Sequence, residues 1–512
     1  MKLRKLSKTN LGNVKKLYLL LMLLCCGWNL SSCSKEETIV VPDEEEQPGG
    51  STVPVAIQNA TSFIADVAGE IYLWSDDIAN KLYKLNPATV TDPIGVWENE
   101  VQHPDDRWSF FTDDYASMAG SFDEVTVTYG WNITPYRLSS GSNQVGFLVN
   151  VVYADGPADR AGIRRGDFLL TYNGEEINTD NYADAYYSTG GEFGVYAYHR
   201  AEEQWIQRGS AEMTAVEMYE NPVVATNIFD VDGKKVGYLH YTSFDSHSVE
   251  QLKEVTREFK AAGVTELILD LRYNGGGLVS TENTMAAMFG PWADTTNRLV
   301  YETDVYNKLY TQAWADDLTS YLNVYTASNG QEHTYVDQSL NLNLNKIYAI
   351  VSQNTASASE SILVGLMPYM DIQIIGSGNT HGKYCTGWML SAPAWYEQLT
   401  GRTTPVGISN WGCYIMVSRY VDKNGNNPCM PNGLTPDIYA KDLPEDGYAL
   451  GDENETMLAA ALQAAGKQGT KALSAHAAAS LGESLRSDVA PRTFAVRIDN
   501  RPHVKAFVGK KQ

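Results

Sequence analysis

The stretch that decides the fold is Lys346–Gly387, KIYAIVSQNTASASESILVGLMPYMDIQIIGSGNTHGKYCTG. Ile347 to Val351 is a short apolar run rich in β-branched residues, the composition of a buried strand. Ser352 to Ser357 is small and polar, a turn. From Ala358 the residues Ala358, Ile362, Leu363 and Leu366 fall on one helical face, and Pro368 stops the helix. Ile372 to Ile375 reads as the next strand, and Gly376 to Gly382 as a loop carrying Lys383. This order puts Ser357 at the mouth of a helix, where unpaired N–H groups and the helix dipole favour a developing negative charge. Ser357 is therefore a candidate nucleophile. Its hydroxyl needs a base, and a βαβ hop can return Lys383, 26 positions on, to the helix mouth. A lysine base must first lose its own proton, which requires burial or a neighbouring cation. The bland alternative is a low-complexity serine string beside an unrelated lysine.

Upstream, Lys235 to Phe244 reads as a strand and turn. Leu252, Val255, Phe259 and Ala262 share a helical face closed by Gly263. Leu267 to Leu271 is a buried strand running into Asp270-Leu271-Arg272-Tyr273-Asn274-Gly275-Gly276-Gly277. Three glycines after a strand are expected where backbone approaches something closely. One use is an oxyanion hole built from N–H donors; another is a turn into a helix. Asp270 and Arg272 read as a structural pair.

TASASES followed by a GK loop resembles the carboxy-terminal processing, or tail-specific, serine peptidases. Three other parts match in the same order: the N-terminal strings Tyr72-Leu73-Trp74 and Arg107-Trp108-Ser109-Phe110, the DLRYNGGG string and Asn432 to Ile438. The likeness spans most of residues 60 to 440. It implies a Ser-Lys dyad, with Ser357 as nucleophile, Lys383 as general base and Glu360 as the helix glutamate of the catalytic group. Glu360 either steadies the site or is a surface charge. The resemblance also implies oxyanion donors at Gly276, with Gly277 as its rival, and Ala358. Two departures stand out: the lysine spacing is one residue longer than usual, and Gly387 stands where a glutamine is often found. The orienter of Lys383 is thus unassigned. Substrates would be unstructured proteins, peptides or C-terminal tails, and no metal or organic cofactor is implied.

Residues 125 to 216 contain Gly156-Pro157-Ala158-Asp159-Arg160-Ala161-Gly162 and Gly166-Asp167 through Asn173-Gly174, which resemble a PDZ domain. In such domains a peptide adds as a strand beside a helix, its carboxylate held by N–H groups of a glycine-containing loop. By position that loop is Tyr129-Gly130-Trp131-Asn132-Ile133, facing a helix over Thr179 to Tyr187. The competing reading is a domain that braces the peptidase and binds nothing.

The first 32 residues read as a lipoprotein signal peptide. Six basic residues precede the apolar run Leu17 to Cys26, and Leu30-Ser31-Ser32-Cys33 resembles a lipobox with Cys33 as the lipidated residue. Residues 33–54 are an acidic tether, with Ser34-Lys35-Glu36-Glu37 resembling an outer-membrane export signal. The expected location is the cell envelope, lipid-anchored, in the outer membrane and exposed at the surface. The chain has 39 basic and 62 acidic residues, net −23, which argues against nucleic-acid partners. Cys385, Cys413 and Cys429 allow at most one intramolecular disulfide, and no Cys/His spacing suggests zinc. A Ser-His-Asp triad is the rival chemistry. His240, His247 and His381 lie in no triad motif, and His381 is nearest the lysine.

The expectation is an α/β multidomain chain. A helical N-terminal region (55–124) precedes a PDZ-like β-rich domain (125–216) and an α/β peptidase domain of βαβ units (221–445). A C-terminal helix and tail (446–512) follow, and Pro291 to Asn343 is an insertion expected to cap the site. The predicted function is an extracytoplasmic, lipid-anchored serine endopeptidase. The competing class is a non-catalytic surface peptide-binding lipoprotein on a peptidase scaffold.

Overall fold

The computed structural model describes residues 52–120, 125–139, 141–199, 202, 204–314, 318–468, 483–484 and 496–498. The expected signal peptide, Cys33 and the expected tether as far as residue 51 lie outside the described residues.

The peptidase region is built on a six-stranded sheet. Its order is Val223–Val231, Lys234–Tyr241, Val264–Asp270, Lys346–Val351, Asp371–Gly376 and Ile438–Tyr439. The first pair is antiparallel and every later pair parallel. The apolar runs alternate between two buried faces, as a parallel sheet covered on both sides demands. Leu267, Leu269, Ile347, Ala349 and Val351 enter the main core, while Ile268, Tyr348 and Ile350 face a second core. That second core is completed by Met457, Leu458, Ala461 and Leu462 of the helix Thr456–Ala464. The sheet's covering therefore extends past residue 445.

The helix Ala358–Leu366 is buried at every position, not along one face. The reason is a second sheet packed over it, of nine strands, whose core strands are Cys385–Ser391, Gly412–Asp422 and Val300–Tyr306. The stretch Pro291 to Asn343 does not form a cap: Val300–Tyr306, Thr319–Tyr321, Val324–Thr326 and Glu332–Thr334 extend this sheet antiparallel. The helix Val55–Glu70 buries Phe63, Ile64 and Val67 in the same core, and the Leu73 N–H donates to the Met416 carbonyl at 2.9 Å.

Residues 131–214 form a separate antiparallel sheet around Val145, Phe147, Val149, Leu169 and Phe193. Of the expected carboxylate loop only Tyr129 and Gly130 are a turn. Trp131, Asn132 and Ile133 already belong to the strand Trp131–Arg137, paired with Val149 to Val152. The facing helix is shorter than expected, Tyr182–Tyr186.

This unit is joined to the peptidase by buried charge. Arg165 donates to Tyr273 Oη at 2.6 Å and to Asp442 at 2.5 Å. Arg272, fully buried, donates to Asp270 at 2.7 Å, to Glu455 at 2.7 and 2.9 Å, and to Asp442 at 2.9 Å. Asp270 and Arg272 are thus two members of a five-residue ionic knot with Arg165, Asp442 and Glu455 under the glycine loop.

Candidate active site

Strand Lys346–Val351 delivers the chain into the turn 352–356, and Ser357 then adopts φ 65°, ψ −114°. A non-glycine residue in that region is strained and held there only by its surroundings. What holds it is the neighbouring glycine motif. Asn274 accepts from the Ala356 N–H and from Ser359 Oγ, both at 3.1 Å, through its backbone carbonyl. Its side chain donates to the Tyr241 carbonyl at 3.0 Å and accepts the Gly276 N–H at 2.8 Å. One asparagine therefore fixes the serine turn and the glycine strand to each other.

Ser357 is fully buried, and its Oγ has no hydrogen-bond partner. A buried hydroxyl left unpaired costs about 1–3 kcal/mol, so such a group calls for an explanation. It stands at the N-terminus of Ala358–Leu366, beside the Ala358 N–H, which has no acceptor within its own helix.

Glu360 explains why the lysine loop returns here. Its Oε2 accepts the Ser357 N–H at 2.9 Å and the Lys383 N–H at 2.8 Å. Its Oε1 accepts the Gly382 N–H at 2.6 Å and the Thr380 hydroxyl. One carboxylate thus places the backbone nitrogens of Ser357 and Lys383 within two hydrogen-bond lengths. Of the two readings of Glu360 the surface charge is corrected: it is a buried positioning residue whose acceptor sites are filled by the two loops it ties. Burial pushes its carboxyl above the ordinary range, opposed by the Thr380, Ser357 and Gly382 donors.

Lys383 is fully buried, and this desolvation brings its ammonium down from 10.5 to about 7, against the pull of Asp106 and Glu360. Its Nζ donates to Tyr414 Oη at 2.8 Å and lies 5.9 Å from the centre of the Trp108 ring. Because Ser357 Oγ is unpartnered, no hydrogen bond yet joins the two.

Tyr414 was missed by sequence reasoning, yet a signal for it existed in Gly387. Tyr414 lies on Gly412–Asp422, which pairs antiparallel with Cys385–Ser391. A Cβ at residue 387 would lie 2.4 Å from Tyr414 Cε2. The glycine standing in place of glutamine is what admits the tyrosine ring, whose hydroxyl reaches the lysine instead. Trp108 covers the lysine, and its indole N–H donates to His381 Nε2 at 3.4 Å.

The Gly276 oxyanion assignment is corrected. Its N–H is taken by Asn274, and its carbonyl accepts from the Phe244 N–H at 2.9 Å. The Leu278 N–H likewise bonds the Phe244 carbonyl at 2.7 Å. Strand alternation then turns the Gly277 N–H and carbonyl to the opposite side. Gly277, at φ 141°, leaves no room for a side chain, since a Cβ would meet the Phe244 carbonyl oxygen at 2.3 Å.

The histidines lie off this centre or, in the case of His381, are weak bases. His240 Nδ1 is 3.2 Å from Asp270, and both are fully buried within the ionic knot. His247 is exposed and packs edge-on against Tyr219. Burial, and then the Lys383 charge, lower His381 to about 4. Among the described residues, Cys385, Cys413 and Cys429 form no disulfide and are buried.

Residues 235–440 match peptidase family S41, and residues 148–192 match a PDZ domain. Carboxyl-terminal-processing peptidase 3 of Arabidopsis thaliana, a chloroplast protein, is 29% identical over 250 residues, covering 47% of this chain and 43% of its own. The carboxy-terminal processing protease CtpA of Bacillus subtilis is 22% identical over 347 residues, covering 68% and 65%. The matched part thus spans about half the length of such curated relatives. A crystal structure from Bacteroides fragilis, described as an S41 protease, has a TM-score of 0.63 at 22% identity. It covers 79% of this chain and 96% of its own, and shows the shared fold. The two family matches fall on the two domains described above, so the chain is similar to S41 peptidases over residues 235–440, with a PDZ-like unit ahead of that stretch.

Proposed function

We propose that the protein is a serine endopeptidase that hydrolyses peptide bonds in unstructured proteins or C-terminal tails through Ser357 and Lys383. The observation that carries this reading is a strained, buried and unpaired serine hydroxyl at a helix mouth, tied by Glu360 to a lysine whose pKa is lowered to about 7. In the proposed reaction neutral Lys383 takes the Ser357 proton as Oγ attacks the substrate carbonyl. The oxyanion forms against the N–H groups of Ala358 and Gly277. The Lys383 ammonium then protonates the leaving amine, and water hydrolyses the acyl-enzyme by the same steps mirrored. Catalytic hydrogen bonds absent in a free enzyme commonly form only with substrate in place.

The sign of the pH dependence follows from which lysine form works. Above about 7 the amine is free to accept a proton; below it the ammonium is not. On an unfolded model protein kcat/KM should fall roughly tenfold per pH unit below that limb. A limb near 4 would assign the base to His381 instead.

Tyr414 should set both the geometry and the pKa of this base. Tyr414→Phe removes the acceptor of the Lys383 Nζ–H bond. Hydrogen bonds to charged groups contribute about 1.5–3 kcal/mol, so kcat/KM on the plateau should fall roughly 10- to 100-fold. Because the lost bond favoured the ammonium, the lower limb should also move to lower pH. A tyrosine that only fills space would leave the limb in place.

The location rests on the leader and Cys33, which support lipid anchoring at the cell envelope, in the outer membrane. Loss of metabolic lipid labelling in Cys33→Ala would test it.

A further inference from the structure

Two strand edges in this molecule offer backbone to an extended peptide. In the PDZ unit it is the edge of Trp131–Arg137; beside Ser357 it is the side of Gly276–Leu278 facing away from Phe244. Both are occupied by the chain's own C-terminal segment. Glu483 and Ser484 pair antiparallel with Arg137 and Tyr136, the orientation in which peptides add to such domains. Val496, Arg497 and Ile498 run parallel to Gly276, Gly277 and Leu278, and Ile498 also pairs with Gly387. This second strand bridges the glycine strand and the strand that follows Lys383. It meets the side of Gly277 whose N–H the proposed mechanism needs, and Ile498 is only 7% exposed, within the main core.

We propose that the C-terminal segment is the resident ligand of the protein's own peptide path, closing it in cis to other chains until displaced or trimmed. The charge distribution suits this role. Residues 467–512 carry nine Lys and Arg against three Asp and Glu, on a chain of net −23, so a basic segment meets an acidic body. Its direction makes it a blocker, not a bound product. A PDZ ligand ends with its carboxylate at the loop, whereas this chain runs on 12 residues from Ser484 to Val496 at the glycine strand. The strand pairing stands whether or not the site hydrolyses peptides; only the term blocker rests on the peptidase reading.

The test is a binding measurement in the Ser357→Ala background, so that it is independent of turnover. A fluorescein-labelled peptide of residues 481–500 is titrated into the full chain and into its Ile498→Pro variant, with a scrambled peptide as control. Proline removes the N–H that faces the Gly277 carbonyl and so weakens the cis strand. Ligand affinity is reduced by the fraction of sites already filled, so the variant should bind at least roughly tenfold more tightly than the parent. Ile498→Arg, which forces a charge out of the buried position, should give the same gain where the proline variant is not folded by circular dichroism. Equal affinity for parent and variant, or no binding to a folded variant, overturns the proposal. Binding that behaves as expected in a chain whose Ser357 form shows no hydrolysis would remove the peptidase reading and leave this one standing.

Discussion

Ser357→Ala should abolish hydrolysis of an unfolded protein, by roughly 10⁴-fold or more, with an unchanged circular dichroism spectrum. Lys383→Met should do nearly the same. The size of the effect follows from the division of labour at the helix mouth. The Gly277 and Ala358 N–H groups and the peptide path remain in either variant and can still polarise a bound carbonyl, but nothing is left to attack it or to accept the proton. Lys383→Met gives up the Nζ bond to Tyr414 Oη, but neither substitution removes the bonds that tie the two loops together. Ser357 Oγ has no partner, and Glu360 binds the backbone N–H groups of residues 357 and 383, which survive any side-chain change. Methionine also matches the buried lysine stem in length and carries no charge to desolvate. The pair acts as a unit, so the double variant should be scarcely slower than either single one. Residual activity within tenfold of the parent in Lys383→Met would transfer the base role elsewhere, to His381 first.

Arg272→Met should cost about 3–5 kcal/mol of stability, seen as an earlier urea transition of the peptidase domain. Arg272 is fully buried and bonds Asp270, Asp442 and Glu455. Without it the buried Asp270 and Glu455 lose the cation they share, and Arg165, 3.6 Å from Glu455, does not replace the bonds to Asp270. Burial alone would raise the Asp270 carboxyl; Arg272 and then His240 override it and hold the group far below the usual range. A depressed carboxylate contributes stability above its unfolded pKa and loses it as pH falls. The variant's deficit should accordingly shrink from pH 8 to pH 5, as the orphaned carboxylates take up protons. A deficit that does not change with pH would show that packing, not charge, supports the loop. The knot lies directly beneath Tyr273 and Asn274, so activity should fall with stability in this variant.

Much of the peptidase fold was legible because its signals are local. Ile347–Val351, the small turn, the buried helix and Gly263 at a helix end each announce themselves within a few residues. What was not legible was what packs across. The helix Ala358–Leu366 reads as one-faced, yet it is buried all round because a sheet built from residues 300–422 lies over it. The same non-local sheet hid Tyr414, 31 residues from Lys383, whose presence was encoded only as a missing side chain at Gly387. Gly276 and Gly277 could not be separated from sequence, because the choice depends on Phe244 and Asn274 claiming one side of the strand. Trp108 gives no sequence signal for a related reason: an aromatic that covers a buried lysine is buried like any other.

The most direct test of the central claim is to trap the nucleophile covalently as its phosphonyl adduct. The chain is incubated at pH 8 with a peptidyl phosphonate, which reacts with an activated serine as a substrate carbonyl would, and the adduct is located by mass spectrometry. A single adduct on Ser357, formed roughly tenfold more slowly for each pH unit below about 7 and absent from Lys383→Met, is the expected result. Hydrolysis of an unfolded protein by the same preparation, with the adduct on another residue or unaffected by Lys383→Met, would contradict it.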